Sequence, residues 1–115
     1  MDMKLSPRII YFKRRIDFFE RDLYYTTKDS SGEWNSILLD TVAGFKSGLD
    51  TDTLNYPHVV YDSDSLWHQY WDGSTWIKEY IDDYMFGGYI SLVIDRNNNL
   101  HIGIGPPLIL SLIHI

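Results

Sequence analysis

The chain repeats itself, and that periodicity constrains its fold more than any single motif. "DLYYTTKDSSGEWNSILLD", Asp22 to Asp40, follows the same plan as "SLWHQYWDGSTWIKEYID", Ser65 to Asp82. Leu23 falls on Leu66 and Asp29 on Asp72 at a spacing of 43; after a one-residue deletion, Trp34 falls on Trp76 and Asp40 on Asp82 at 42. The match continues downstream, with Asp52 on Asp95 and His58 on His101, again at 43. A further partial copy opens the chain, where "SPRIIYF" reads like "YPHVVYD" and places Pro7 on Pro57. A fixed period of this length is the mark of a repeat architecture.

Each unit divides into short β-branched and aromatic runs separated by Asp, Asn, Gly and Ser, which are strand and turn signals. Asp72-Gly73 is a hairpin signal, because Gly tolerates the positive φ such a turn requires. With the strands of a unit labelled A to D, the chain reads BCD, ABCD, AB. The incomplete units cover residues 7–40 and 89–104, and the full unit covers 45–82. The expected fold is all-β: consecutive four-stranded antiparallel meanders, the unit of a β-propeller, here a partial one. Lys13 to Arg21 is the ambiguous stretch, since Ile16, Phe19 and Leu23 also suit a helical face. Tyr89 to Ile94, "YISLVI", is expected as an innermost strand buried on both faces.

"DSSGEW" and "DGSTW" resemble the Asp-box, or BNR repeat, of sialidase-like propellers, whose fuller pattern is S-x-D-x-G-x-T-W. Thr27, Asp29, Gly32 and Trp34 fit the first copy with one extra residue before the Trp. Asp72, Gly73, Thr75 and Trp76 fit the second, with Tyr70 where the pattern has Ser. The resemblance implies that the carboxylate accepts hydrogen bonds from turn amides while the Trp packs between sheets. Asp29, Gly32, Trp34, His58, Asp72, Gly73, Trp76 and His101 are therefore read as structural repeat positions. The other reading makes the tryptophans a platform on which sugar rings stack.

The last six residues, "LSLIHI" (110–115), break the repeat where strand B should run into strand C. One back-translation, CTG TCT CTT ATA CAC ATC, matches the transposase end used in tagmentation libraries. Residues 110–115 are therefore expected to be translated sequencing adapter, with the remaining blades missing from this chain.

Function is less legible than architecture. The formal net charge is −6, with the basic excess confined to Met1–Lys28. The acidic remainder repels phosphate backbones, which argues against nucleic acid. No apolar run approaches the ~20 residues needed to span a bilayer, and "MDMKLSPRII" lacks a signal-peptide core. An extracytoplasmic location is implied by the resemblance alone, and the compartment stays open. The chain contains no Cys, which excludes disulfides and thiolate metal sites.

"DTDTLN" and "DRNNN" alternate oxygen ligands as calcium loops do. Both lack Gly at the sixth position, and Pro106 stands twelfth after Asp95. They are read as plain A–B turns, with neither metal nor cofactor expected.

Because structural positions recur, functional ones should break the repeat. His68 does so, standing opposite Tyr25, but a lone His among aromatics is more often packed than functional. In propellers of the type resembled, the B–C and D–A connections open on one face, and they are the candidate ligand-binding surface: Arg14 and Arg15, Asp62 and Asp64, and Tyr84, Met85 and Phe86. The expected function is a non-catalytic propeller segment that binds a glycan or protein partner, or a scaffold. The alternative is a piece of a sialidase-like hydrolase, which would need a Tyr nucleophile, an acidic partner and an arginine cluster. Its F/Y-R-I-P segment has no match; "SPRII" comes nearest and already fits strand B.

Overall fold

A computed structural model describes residues 8–14, 21–43, 46–83, 89–105 and 111–114. Among these residues the chain is all-β. The first sheet contains β1 (Arg8–Arg14), β2 (Arg21–Lys28) and β3 (Trp34–Ala43). The middle sheet contains β4 (Ser47–Thr51), β5 (Pro57–Asp62), β6 (Leu66–Trp71) and β7 (Trp76–Asp82). The third contains β8 (Tyr89–Ile94), β9 (Leu100–Gly105) and β10 (Ser111–His114). Neighbours in sequence are neighbours in each sheet, and every pairing is antiparallel. Leu23, which also suited a helical face, is a fully buried strand residue. Ser111–His114, an apolar run next to β9, pairs with it, so the third sheet has one strand more than the two expected from the repeat.

The two C–D hairpins share an irregularity as well as a plan. Leu23 pairs Asp40 and Tyr24 pairs Leu38, skipping Leu39; Leu66 pairs Asp82 and Trp67 pairs Tyr80, skipping Ile81. A bulge re-aims the skipped side chain. Leu39 thereby packs with Leu23, Val59 and Tyr61, and Ile81 with Leu66, Ile90 and Ile102.

The middle sheet is covered on both faces, because alternate residues of a strand point to opposite sides. Val59 and Tyr61 meet Leu23, Ile10 and Leu39 of the first sheet. Val60 and Leu66 meet Ile90, Leu92, Leu100, Ile102 and Ile104 of the third. β5 is accordingly buried on both sides over its first five residues. β4 and β8 approach so closely that a Cβ on Gly48 would lie 3.0 Å from the Leu92 amide nitrogen and 3.1 Å from its Cβ.

Tyr89–Ile94 departs from the expectation of burial on both faces. Ile90 and Leu92 are buried, while Val93 is 59% exposed and Tyr89 40%. Only the side facing the middle sheet is covered among the described residues, so the strand alternates.

Polar bonds tie the layers together. Tyr61 Oη donates to Asp40 Oδ2 (2.6 Å), Lys78 Nζ to the same oxygen (3.0 Å), and Gln69 Nε2 to the Leu39 carbonyl (2.8 Å). Burial, then the hydrogen bond to Asp40, pushes the Tyr61 hydroxyl pKa far above its ordinary value. On the other side the Ile94 amide donates to Asp50 Oδ2 (2.8 Å), and the Thr53 amide to Asn98 Oδ1 (2.9 Å).

Candidate functional site

The turns at one end of the sheets are built by Asp side chains that replace missing ladder partners. Asp29 Oδ1 accepts from the amides of Ser31 (2.9 Å) and Glu33 (3.0 Å) and from the Ser31 hydroxyl (2.6 Å), while Oδ2 accepts from Asn35 (2.9 Å). Hydrogen bonds to the charged form favour it; those from Ser31, Asn35 and Glu33 pull the Asp29 carboxyl down to about 2. Asp72 Oδ1 accepts from the amides of Ser74 and Thr75, both at 2.8 Å. Gly32 (φ 90°) and Gly73 (φ 104°) take the left-handed position of each turn, a conformation that L side chains adopt only with strain.

The A–B turns use the same device with asparagine. Asp52 Oδ1 accepts from Leu54 and Tyr56, and Asp95 Oδ1 from Asn97 and Asn99, all between 2.9 and 3.0 Å. Asn55 (φ 66°) and Asn98 (φ 63°) hold the left-handed positions. The second oxygen of each Asp contacts the His six residues on: His58 Nε2 at 2.9 Å and His101 Nε2 at 3.0 Å. Hydrogen bonds from His101 and the Asn99 amide hold Asp95 well below the carboxylate range. Burial alone would raise Asp52, but hydrogen bonds from His58, Tyr56 and Leu54 outweigh it. Among the described residues, no group of three or more His, Asp or Glu is placed to hold a metal ion.

Three cross-strand neighbours extend the His58 pair into a relay that runs from the buried imidazoles to the exposed Glu79. His58 Nδ1 lies 2.9 Å from His68 Nε2, and His68 Nδ1 lies 2.6 Å from Glu79 Oε1. Tyr70 stacks on both rings, at 5.1 and 4.9 Å. Since carboxylates only accept, His58 Nε2 and His68 Nδ1 must donate. The ring–ring contact closes with a single proton between His58 Nδ1 and His68 Nε2. Burial lowers the His68 pKa, as does the His58 charge, and Glu79 only partly offsets them.

The Trp positions behave differently in the two copies. Trp76 packs edge-on against Tyr25 of the first sheet, with ring centroids 5.2 Å apart. Trp34, expected to pack between sheets, is instead 48% exposed beside the Lys28 ammonium. The face it occupies has no sheet over it among the described residues, so there is nothing for the indole to pack against.

Between the first and middle sheets, at the Asp-turn end, lies an open cleft of about 440 Å³. Tyr25, Tyr56, Trp71 and Trp76 supply its aromatic wall, and Arg8 its charge. Trp71 and Trp76 meet at 59° with centroids 6.1 Å apart, forming a corner. Arg8 Nη1 donates to Asn55 Oδ1 (3.1 Å), whereas its Nε is buried without a partner among the described residues. Burial raises the Tyr25 hydroxyl pKa, opposed by the Arg8 charge and by a hydrogen bond with Arg8.

The residues expected from sequence to bind lie elsewhere. Asp62 closes β5 and accepts from the Lys46 amide (2.9 Å), Asp64 holds a left-handed turn position (φ 60°), and Arg14 ends β1. These three positions belong to the opposite end of the sheets, and neither Asp62 nor Asp64 lines the cleft. Arg15, Tyr84, Met85 and Phe86 lie outside the described residues. Arg8 was the missed signal: the alignment of "SPRII" with "YPHVV" puts it where His58 and His101 stand, so it breaks the repeat.

No known protein-family model matches the chain, and no curated protein is similar to it.

Proposed function

We propose that the three sheets are consecutive blades of a β-propeller built from Asp-box-like repeats, and that this segment is a non-catalytic module binding a glycan in the cleft. The blade reading is supported by equivalence across the first interface. Val59, Tyr61, Trp76 and Tyr80 belong to the middle-sheet face turned toward the first sheet. Their counterparts Ile9, Tyr11, Trp34 and Leu38 share the outer face of the first sheet, each between 38% and 48% exposed. A face patterned like a docked face but left open is what a repeat presents to its preceding neighbour.

The observation that carries the binding reading is the cleft itself. Its volume falls within the ~300–1,000 Å³ typical of small-molecule sites. Trp and Tyr present large apolar rings with a polar handle, and pyranose faces carry C–H groups that stack on such rings. Trp71 is half-buried at the cleft corner, so replacing it removes wall area without opening the core. Trp71→Ala is expected to weaken binding of a methyl pyranoside at least tenfold, read by saturation-transfer NMR, with the melting curve kept cooperative. Unchanged binding by a folded Trp71→Ala protein would refute the assignment.

A further inference from the structure

Resting on the glycan reading of the cleft, we infer that its ligand carries a carboxylate seated on Arg8, as a hexuronic acid does. Arg8 is a partly buried guanidinium set among Tyr25, Ile37, Leu54, Pro57 and Trp76. Its only polar partners among the described residues are the Asn55 amide oxygen and Tyr25. No carboxylate of the described residues pairs with it, whereas the half-exposed Lys78 ammonium has Asp40 Oδ2 at 3.0 Å.

A cation withdrawn from water without an anion is costly, and the cost falls when a ligand brings the anion. Guanidinium is also the side chain whose planar fork fits a carboxylate. A hexuronic acid places its carboxylate at the ring edge. Both pyranose faces then stay free for the Tyr56, Trp71 and Trp76 rings. A neutral hexose would satisfy the rings and leave the charge bare.

The equivalent positions of the next unit point the same way. Where Arg8 and Tyr25 stand in the first unit, His58 and His68 stand in the second, and there the polar groups are satisfied internally by Asp52 and Glu79. The first unit replaces Glu79 with Ile37. Among the described residues no acid closes the set around Arg8.

The test compares methyl β-glucuronide with methyl β-glucoside on the full chain and on Arg8→Met and Arg8→Lys, using saturation-transfer NMR titrations with a melting curve for each protein. The glucuronide is expected to bind about tenfold more tightly to the unaltered chain, as a charge-assisted bidentate pair provides. Arg8→Met should abolish that preference, and Arg8→Lys should restore part of it. Equal binding of both sugars by the unaltered chain overturns the carboxylate inference and leaves the glycan reading standing. A preference that survives in Arg8→Met overturns the assignment to Arg8. Binding of neither sugar by a folded chain overturns the glycan reading and this inference with it.

Discussion

The two interfaces of the middle sheet are made from the same repeat positions and end in opposite states. Facing the middle sheet, the first sheet places Arg8, Tyr25 and Ile37; facing the third, the middle sheet places His58, His68 and Glu79. The histidine set closes on itself through two ring–carboxylate contacts and one ring–ring contact. The arginine set leaves a cation beside an open aromatic cleft. In a repeat, backbone position is inherited from the period, whereas partner satisfaction is decided residue by residue. Function is therefore sought where a repeated position holds an unsatisfied residue.

The largest expected effect tests whether the two interfaces are separable. Ile102 is fully buried against Val60 and Leu66 on the third-sheet side. Truncating such a side chain removes transfer energy and leaves a cavity, so Ile102→Ala should destabilise the chain by about 2–5 kcal/mol in urea unfolding. The cleft lies on the other side of the middle sheet, so methyl glucuronide binding by the folded fraction should be unchanged. Loss of binding at unfolding-corrected concentrations would show that the interfaces are coupled.

The pH dependence of stability sharpens the contrast from the histidine side. The His68 pKa is lowered in the folded chain, so folding excludes a proton that the unfolded chain accepts below about pH 6.5. Its contribution is complete above that pH and is lost as pH falls toward the folded value. Asp52 and Asp95 are also lowered, and their contribution is present above about pH 3.9 and lost as pH falls below it. Urea midpoints should thus decline in two stages on acidification. His68→Gln should remove the first stage and keep the second; a midpoint flat between pH 7 and 5 in the unaltered chain would contradict the buried neutral His68.

Much of this contrast could be read from the sequence in one direction only. The 43-residue spacing put Asp52 on Asp95, His58 on His101, and Asp29 on Asp72, and each pair adopts matching turn chemistry. Those are local devices, fixed within a few residues of chain. The relay was not legible, because it depends on cross-strand register: Val60 opposite His68, and His68 opposite Glu79. Nor was the cleft, whose walls come from β1, β2, the A–B turn and the C–D turn and meet only when two sheets stack. The B–C and D–A connections lie at the opposite end, where Asp62 accepts from the Lys46 amide.

The smallest effect separates a turn that only folds from one that also shapes the site. Gly32 and Gly73 both have positive φ, and an alanine there pays the left-handed strain of about 1–2 kcal/mol. Around Gly32 a Cβ would meet only the Lys28 Cε at 3.9 Å, which is ordinary contact. Around Gly73 it would lie 2.9 Å from the Tyr56 hydroxyl oxygen. That oxygen is the far end of a side chain able to swing, so relief is cheap and the two variants should melt within about 1 kcal/mol of each other. Tyr56, however, is part of the cleft wall. Gly73→Ala should therefore weaken methyl glucuronide binding by a few-fold while Gly32→Ala leaves it intact, and equal loss in both would mean that Tyr56 does not touch the ligand.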